Sequence, residues 1–362
     1  MKTKHTALIF VLSSLLILSF VLSSCAGGND KPTQTVPEET VAETDAAPAY
    51  KRPDKFPKDI DFDDTEAICN MFDVSDVVDG VTVTVNKKSK IIVQKGTVND
   101  VKFTLMIGLN KWAKLTTPEQ IANCAMLFWY CYPQMYTRLH NDDSPTSLAL
   151  NFENEGYEVA SCGGNSVHIH DNWLHEHPTD YDCLTHEFAH AIQGGWNGVF
   201  CPSYGDDTYM IERFADYCRY VYAYNLGYYN DRGWELQTVR SEDKYYTSVR
   251  FWVWIDYNYS TDSIDIMQRI NKLVKKGGKE AARTNWGTDG PMWDKVFKGT
   301  GAEGKTIDEL FSLYKADEFS KLDSTVSKAG SNSRLLQKFD IRTTIRGRAA
   351  GAQDYLKLGK AV

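Results

Sequence analysis

The sequence contains no Cys-x-x-Cys pair, although it holds eight cysteines: Cys25, Cys69, Cys124, Cys131, Cys162, Cys183, Cys201 and Cys218. Thiolate zinc clusters are built on such closely spaced pairs, so that class of site is set aside. Positive charge is also in short supply, with 40 Lys and Arg against 48 Asp and Glu and a formal net charge of −8. That balance argues against generic nucleic-acid binding, and no nucleic-acid partner is expected. No internal repeat is visible, which argues against a repeat architecture. The apolar stretch Ala7–Leu22 is roughly 16 residues long, short for a membrane span.

Behind Lys2 and Lys4 that stretch reads as the core of a signal peptide. It closes on Leu22-Ser23-Ser24-Cys25, similar to bacterial lipoprotein signals, in which small residues precede a cysteine that is lipidated and becomes the new N-terminus. A plain signal peptide with an incidental cysteine is the alternative. Residues 26–50 contain no large apolar residue except two valines and Tyr50. Such a segment cannot bury enough surface to fold and reads as a flexible tether. Without Lys2 and Lys4 the balance becomes 38 basic against 48 acidic residues, a net −10. Locally, residues 325–362 carry eight Lys or Arg against two Asp and read as a basic surface tail. The expected partition is a signal peptide over 1–24, a lipidated cysteine and tether over 25–52, a folded domain over 53–320 and the basic tail over 321–362. It implies an extracytoplasmic protein, lipid-anchored to a bacterial membrane, at the outer membrane or cell surface rather than the inner membrane. With Cys25 lipidated, seven cysteines remain and cannot all pair within the chain. Cys124 and Cys131 lie in an apolar run and are expected to be buried thiols.

Alternating segments within residues 81–107 predict three strands, "VTVTV", "KIIVQ" and "VKFTLMI". Thr117-Pro118-Glu119-Gln120 is a helix start, and Pro133 is expected to end or kink that helix. Residues 146–153 read as a strand, as do residues 165–173, with His168 and His170 on one face and Val167 and Ile169 on the other. A helix is expected from Thr179 to Gly194-Gly195, another from about Asp207 to Leu226, and mainly helices thereafter, including one opened by the capping box Thr306-Ile307-Asp308-Glu309. This order predicts an α+β fold: a small mixed sheet, then a helix carrying most of the chemistry, then a mainly helical C-terminal subdomain, with a cleft between them.

The chemistry centres on "DCLTHEFAHAIQGG", residues 182–195. On a helix His186 and His190 lie one turn apart on the same face, so both rings can reach one metal ion. Glu187 is rotated about 100° from His186, placing it to act on water at the metal without ligating the metal. Catalytic zinc takes three protein ligands and leaves one position open. Glu212 on the next predicted helix can complete the set. Asp216, four residues on and on the same face, can accept the free ring N–H of a ligand histidine, expected to be His186. The neighbours Ile211, Phe214, Ala215 and Tyr217 suggest a largely buried helix, where two acids need a reason. One Zn2+ per chain is expected.

The segments "LTHEFAHAIQGGWNG", "MIERFADYCR", "YYTSVRFWVWIDY" and "GKTIDELFSLYK" occur in that order. They resemble the successive landmarks of the basic secretory protein family of plant and bacterial zinc metallopeptidases, over roughly residues 80–318. The Glu212…Asp216 spacing also resembles that of the wider gluzincin class. The resemblance implies a gluzincin-like fold and a zinc metallopeptidase, with endopeptidase activity the expected form. Two departures stand out: the chain is acidic, and Arg213 occupies a position where the family often has glycine. By the same resemblance Tyr245 fits the family tyrosine that precedes the arginine of "GY-x-x-TARF"; Tyr245 and Tyr246 are the candidates for steadying the oxyanion.

The implied mechanism is hydrolysis of a peptide bond by a metal-activated water with Glu187 as general base. Arg250 is either a binder of substrate carboxylate or a structural ion pair. His168 and His170 are weak substrate-binding candidates, read as lying on the cleft side of an edge strand rather than as a second metal site. An extended substrate could add to such an edge by main-chain pairing. The expected partners are a polypeptide or glycoprotein substrate and, through the lipid, a membrane; the chain is expected to be a monomer. Two alternatives stand beside this reading: an inactive peptidase-like lipoprotein that binds glycoconjugate or cell-wall material, and a zinc hydrolase specific for glycoproteins.

Overall fold

The computed structural model describes residues 51–109, 115–153, 159–178, 180–196, 207–222, 249–274, 286 and 290–317. The expectations for Cys25, the tether, Thr179, Tyr245, Tyr246 and the basic tail lie outside the described residues. Among the described residues no helix is long and apolar enough to cross a membrane.

Alternation of apolar and polar side chains produces the sheet. Six strands, β1 (Thr82–Asn86), β2 (Ile91–Val98), β3 (Val101–Gly108), β4 (Ser147–Glu153), β5 (Ala160–Gly163) and β6 (Ser166–His170), lie in the order β1-β2-β3-β4-β6-β5. The first three form an antiparallel meander, β4 and β6 continue parallel to β3, and β5 returns antiparallel along β6. Asn99 and Asp100 join β2 to β3 with positive φ of 49° and 61°. Two such residues make the tight turn that matches strand twist, and Asn and Asp tolerate that conformation best after glycine. Phe103, Leu105 and Ile107 of β3, Leu148, Leu150 and Phe152 of β4, and Val167 and Ile169 of β6 are almost wholly buried on one face. The residues between them are half-buried or exposed on the other.

Helices pack on the buried face. Helix α1 (Thr65–Met71) lies by β1, with the Cys69 thiol on the Val83 carbonyl. Helix α2 (Pro118–Leu139) opens with the expected capping box between Thr117 and Gln120. It continues through Pro133 to Leu139, so of the expected end or kink at this residue the end is corrected. Proline removes one internal hydrogen bond, but Phe128, Trp129, Tyr132, Met135 and Leu139 on both sides of it are buried, and that packing carries the helix past the gap. Ring contacts Phe103–Tyr132 and Phe128–Phe188 place α2 between the sheet and helix α4 (Cys183–Gln193). The predicted strand over 165–173 ends at His170; residues Asp171–Glu176 turn into a short helix, α3. Asp171 fixes that switch by accepting from the backbone N–H groups of Leu115 (2.9 Å) and Thr116 (2.7 Å).

The helical part contains α5 (Asp207–Tyr222), α6 (Val249–Tyr259), α7 (Ile266–Leu273), α8 (Pro291–Phe297) and α9 (Ile307–Ala316), the last opened by the Thr306–Glu309 capping box. The α+β expectation of a small mixed sheet with helices therefore holds. Cys124 and Cys131 are buried thiols, as expected.

One buried charge cluster joins the helices. Arg138, on the last turn of α2, contacts both oxygens of Asp256 on α6 at 2.8 and 2.9 Å, and Asp265 at the start of α7 at 2.5 Å. Its Nη1 also donates to the Tyr217 hydroxyl on α5 at 2.8 Å. Burial alone would lower the Arg138 pKa, but Asp256, Tyr217 and Asp265 together hold it well above its ordinary value. Arg138→Met removes the cation and leaves two carboxylates in the core. Loss of one partner of a buried pair costs about 3–5 kcal/mol, so urea denaturation is expected to show a loss of that size, and unchanged stability would contradict the cluster's role.

Candidate metal centre

Helix α4 packs against α2 through Phe188, and its partly polar face turns to α5. Its C-terminal end is held firmly. Gly194 has φ of +39°, and a Cβ there would lie 2.7 Å from both the Asn141 Oδ1 atom and the Asp143 carbonyl carbon. Only glycine fits that approach. The last carbonyls are taken up from outside the helix: Ser144 Oγ donates to Ile192 O at 2.6 Å, Asn271 Nδ2 to Ile192 O at 3.0 Å, and Asn141 Nδ2 to Gln193 O at 2.8 Å.

On this helix His186 and His190 converge as their spacing predicts. Their Nε2 atoms are 3.0 Å apart; Glu212 Oε2 lies 3.1 Å from His186 Nε2 and 3.7 Å from His190 Nε2. The outward nitrogens are both engaged: His186 Nδ1 with Asp216 Oδ1 at 2.8 Å, and His190 Nδ1 with Gln193 Oε1 at 2.8 Å. Arg213 holds the other oxygen of Asp216. Glu212 thus lies beside the Nε2 atoms and Asp216 behind His186.

This donor set fits a metal ion. With both Nδ1–H groups donated outward, the Nε2 positions of the two rings and a carboxylate oxygen face one another, an arrangement that calls for positive charge between them, as protons on the rings or as a metal ion bound by the neutral rings. Burial alone would lower the His186 pKa, yet Asp216 and Glu212 outweigh it and push it up to about 10. Glu212 moves the other way: burial would raise it, but His190 and His186 hold it well below the usual carboxylate range. Ligand atoms about 2.0–2.1 Å from a tetrahedral zinc lie roughly 3.3 Å from one another, close to the 3.0–3.7 Å seen here. Among the described residues, His186, His190 and Glu212 form the one group of this kind able to hold a metal. The Glu212 side chain is 41% exposed, which marks the open side of the site.

Glu187 is buried, 8% exposed, on the neighbouring stripe of α4. Burial raises its pKa, with His186 and His190 opposing and Glu212 adding to the rise. Behind it Arg219 on α5 is paired with Asp180 at 2.7 Å.

The remaining candidates fall elsewhere. Strand β6 is internal, not an edge; the edge strand beside it is β5, which the sequence reading missed. Four residues broken by Cys162-Gly163 give too short an alternation to stand out. His168 and His170 alternate with the core residues Val167 and Ile169, so they lie on the sheet face turned away from α4. There His168 Nδ1 is 2.9 Å from Glu153, and its Nε2 is 2.9 Å from Ser166 Oγ, which accepts from Asn151. They are not part of the metal centre. Arg250 is 1% exposed within α6, inside the core rather than presented to solvent. Gln193 and Arg213 are the contacts that the sequence reading did not assign. Gln193 sits three residues after His190, a helical neighbour spacing that could have flagged it.

Comparison with protein-family models, with curated proteins and with solved structures finds no match for this chain.

If the group holds a metal, His186→Ala, His190→Ala and Glu212→Ala are each expected to abolish its stable binding, read by titrating zinc into purified protein. Asp216→Asn keeps an acceptor for the ring but loses its charge, and is expected to cost roughly 10–100-fold in affinity. Full zinc occupancy in Glu212→Ala, with a metal-free Asp216→Ala, would exchange the two roles.

Proposed function

We propose that the chain is a gluzincin-like zinc peptidase that hydrolyses peptide bonds, most simply as an endopeptidase. The observation that carries this reading is the convergence of His186, His190 and Glu212 with Glu187 on the adjoining stripe of the same helix. The resemblance of the ordered motifs to the basic secretory protein family adds to it. Zinc bound by the three ligands would supply a Lewis acid that polarises the scissile carbonyl and makes water acidic enough to react near neutral pH.

The chain's own groups account for the rest. Glu187 accepts the proton of the attacking water and delivers it to the leaving amine. Asp216 keeps the His186 Nδ1–H bonded, which leaves Nε2 free as a ligand atom. Strand β5, antiparallel to β6 at the sheet edge and beside α4, offers main-chain groups to an extended polypeptide. A flexible polypeptide or glycoprotein segment is the substrate class that suits pairing along a strand that is terminal among the described residues. The oxyanion donor is assigned to Tyr245 or Tyr246 on the motif resemblance alone. The N-terminal sequence supports a lipid anchor at Cys25, with the enzyme held off a bacterial membrane by its tether.

Glu187→Gln is expected to bind zinc normally and to lose most hydrolysis of a denatured protein mixture, because an amide cannot take the water's proton. Wild-type activity should vanish with ortho-phenanthroline and return with zinc. Cleavage by Glu187→Gln at the wild-type rate would remove the proposed base.

Cys25→Ser is expected to move the protein from the detergent phase to the aqueous phase on phase partitioning, with catalysis intact. Unchanged membrane association would point instead to an uncleaved apolar segment at residues 7–22.

A further inference from the structure

Gln193 is 2% exposed and uses both ends of its side-chain amide. Its Nε2 donates to the backbone carbonyl of Ile211 at 2.6 Å, and its Oε1 lies 2.8 Å from His190 Nδ1. A backbone carbonyl can only accept. The amide nitrogen must therefore face Ile211, and the amide oxygen must face the imidazole. That oxygen is itself only an acceptor, so His190 Nδ1 must carry the hydrogen. In the neutral ring that a metal ligand must be, Nε2 is then bare, pointing at His186 and Glu212. The tautomer of one metal ligand thus follows from the position of a main-chain oxygen on another helix.

We propose that Gln193 is the positioning residue of the metal centre: it selects the metal-binding tautomer of His190 and ties that ring to the turn of α5 that carries Glu212. The inference rests on the metal-site reading above and extends it to how ligands from two helices are held in register. Ile211 immediately precedes Glu212, so the bond that orients His190 also fixes the backbone next to the third ligand. Gln193 itself does not drift, because its carbonyl accepts from Asn141 and Gly194 closes the helix directly after it. Burial leaves little room for water to replace the amide. The two histidines are therefore supported differently. His186 leans on a charged acceptor, Asp216, which raises its basicity as well as orienting it. His190 leans on a neutral one, which supplies direction without charge.

The test compares zinc affinity, by competition with a chromophoric chelator, in wild type, Gln193→Met, Gln193→Glu and His190→Ala, alongside the thermal stability of each metal-free protein. Gln193→Met removes both bonds and is expected to weaken zinc binding roughly 10–100-fold. Gln193→Glu keeps an acceptor for His190 and is expected to recover most of that loss. Wild-type affinity in Gln193→Met overturns the proposal. So does an equal loss in both variants that tracks their loss of metal-free stability, because the bond to Ile211 would then act through folding alone. Nitrogen NMR of histidine-labelled, zinc-loaded wild type needs no variant: His190 is expected to bind through Nε2 with hydrogen on Nδ1, and binding through Nδ1 overturns the proposal. Absence of zinc binding in wild type would instead remove the metal-site reading itself, an outcome distinct from any of these.

Discussion

The architecture depends on the packing of α4 against α5, where polar groups from both helices must be brought out of water together. His186, Glu187, His190, Glu212 and Asp216 all meet at this junction, and none could be buried there alone without a large desolvation cost. Hydrogen bonds of His186 to Asp216 and Glu212, and of His190 to Gln193, offset part of it. The remainder is offset by apolar surface on the same helices: Phe188, Ala189 and Ile192 on α4, and Phe214, Ala215, Tyr217 and Cys218 on α5 are all nearly inaccessible. The polar seam is thus flanked by core that holds its geometry, while the Glu212 side chain keeps one side of it open to solvent.

Two clusters away from the seam keep it in place. Arg138 binds Asp256, Asp265 and Tyr217, so the end of α2 is locked to the helices that follow the sheet. Asn271 on α7 bonds the carbonyls of Leu139 and Ile192 and receives the Trp196 indole N–H at 2.6 Å. It therefore joins the ends of α2 and α4 and the chain beyond α4 at one fully buried amide. Both clusters are satisfied by several partners each, the condition under which buried polar groups specify a structure.

Much of this was legible in the sequence because it is local. Period-two alternation gave β1 to β4, and the capping boxes at Thr117 and Thr306 stand where they were read. His186 and His190 share a face because helical spacing puts them there, and Glu212 with Asp216 follow the same rule. What escaped depends on contacts distant in sequence. Pro133 looks like a helix end until the burial of its neighbours is known. Strand β6 looks like an edge until the four-residue β5 is found beside it. Gln193 is a helical neighbour of His190, but its tie to the other helix appears only through Ile211, 18 residues away. Arg213 pairs with Asp216 three residues on, but its relevance appears only once Asp216 is seen holding the His186 ring.

The early stop at Gly194 has an electrostatic consequence. His190 lies in the last turn of α4, so the ligand cluster sits at the carbonyl end of the helix, where aligned peptide dipoles leave a partial negative charge. A cation between His186, His190 and Glu212 is attracted by this field as well as by its ligands. Donors from Asn141, Ser144 and Asn271 temper the field by taking up the terminal carbonyls. The point at which the chain leaves the helix therefore helps set how strongly the centre draws positive charge.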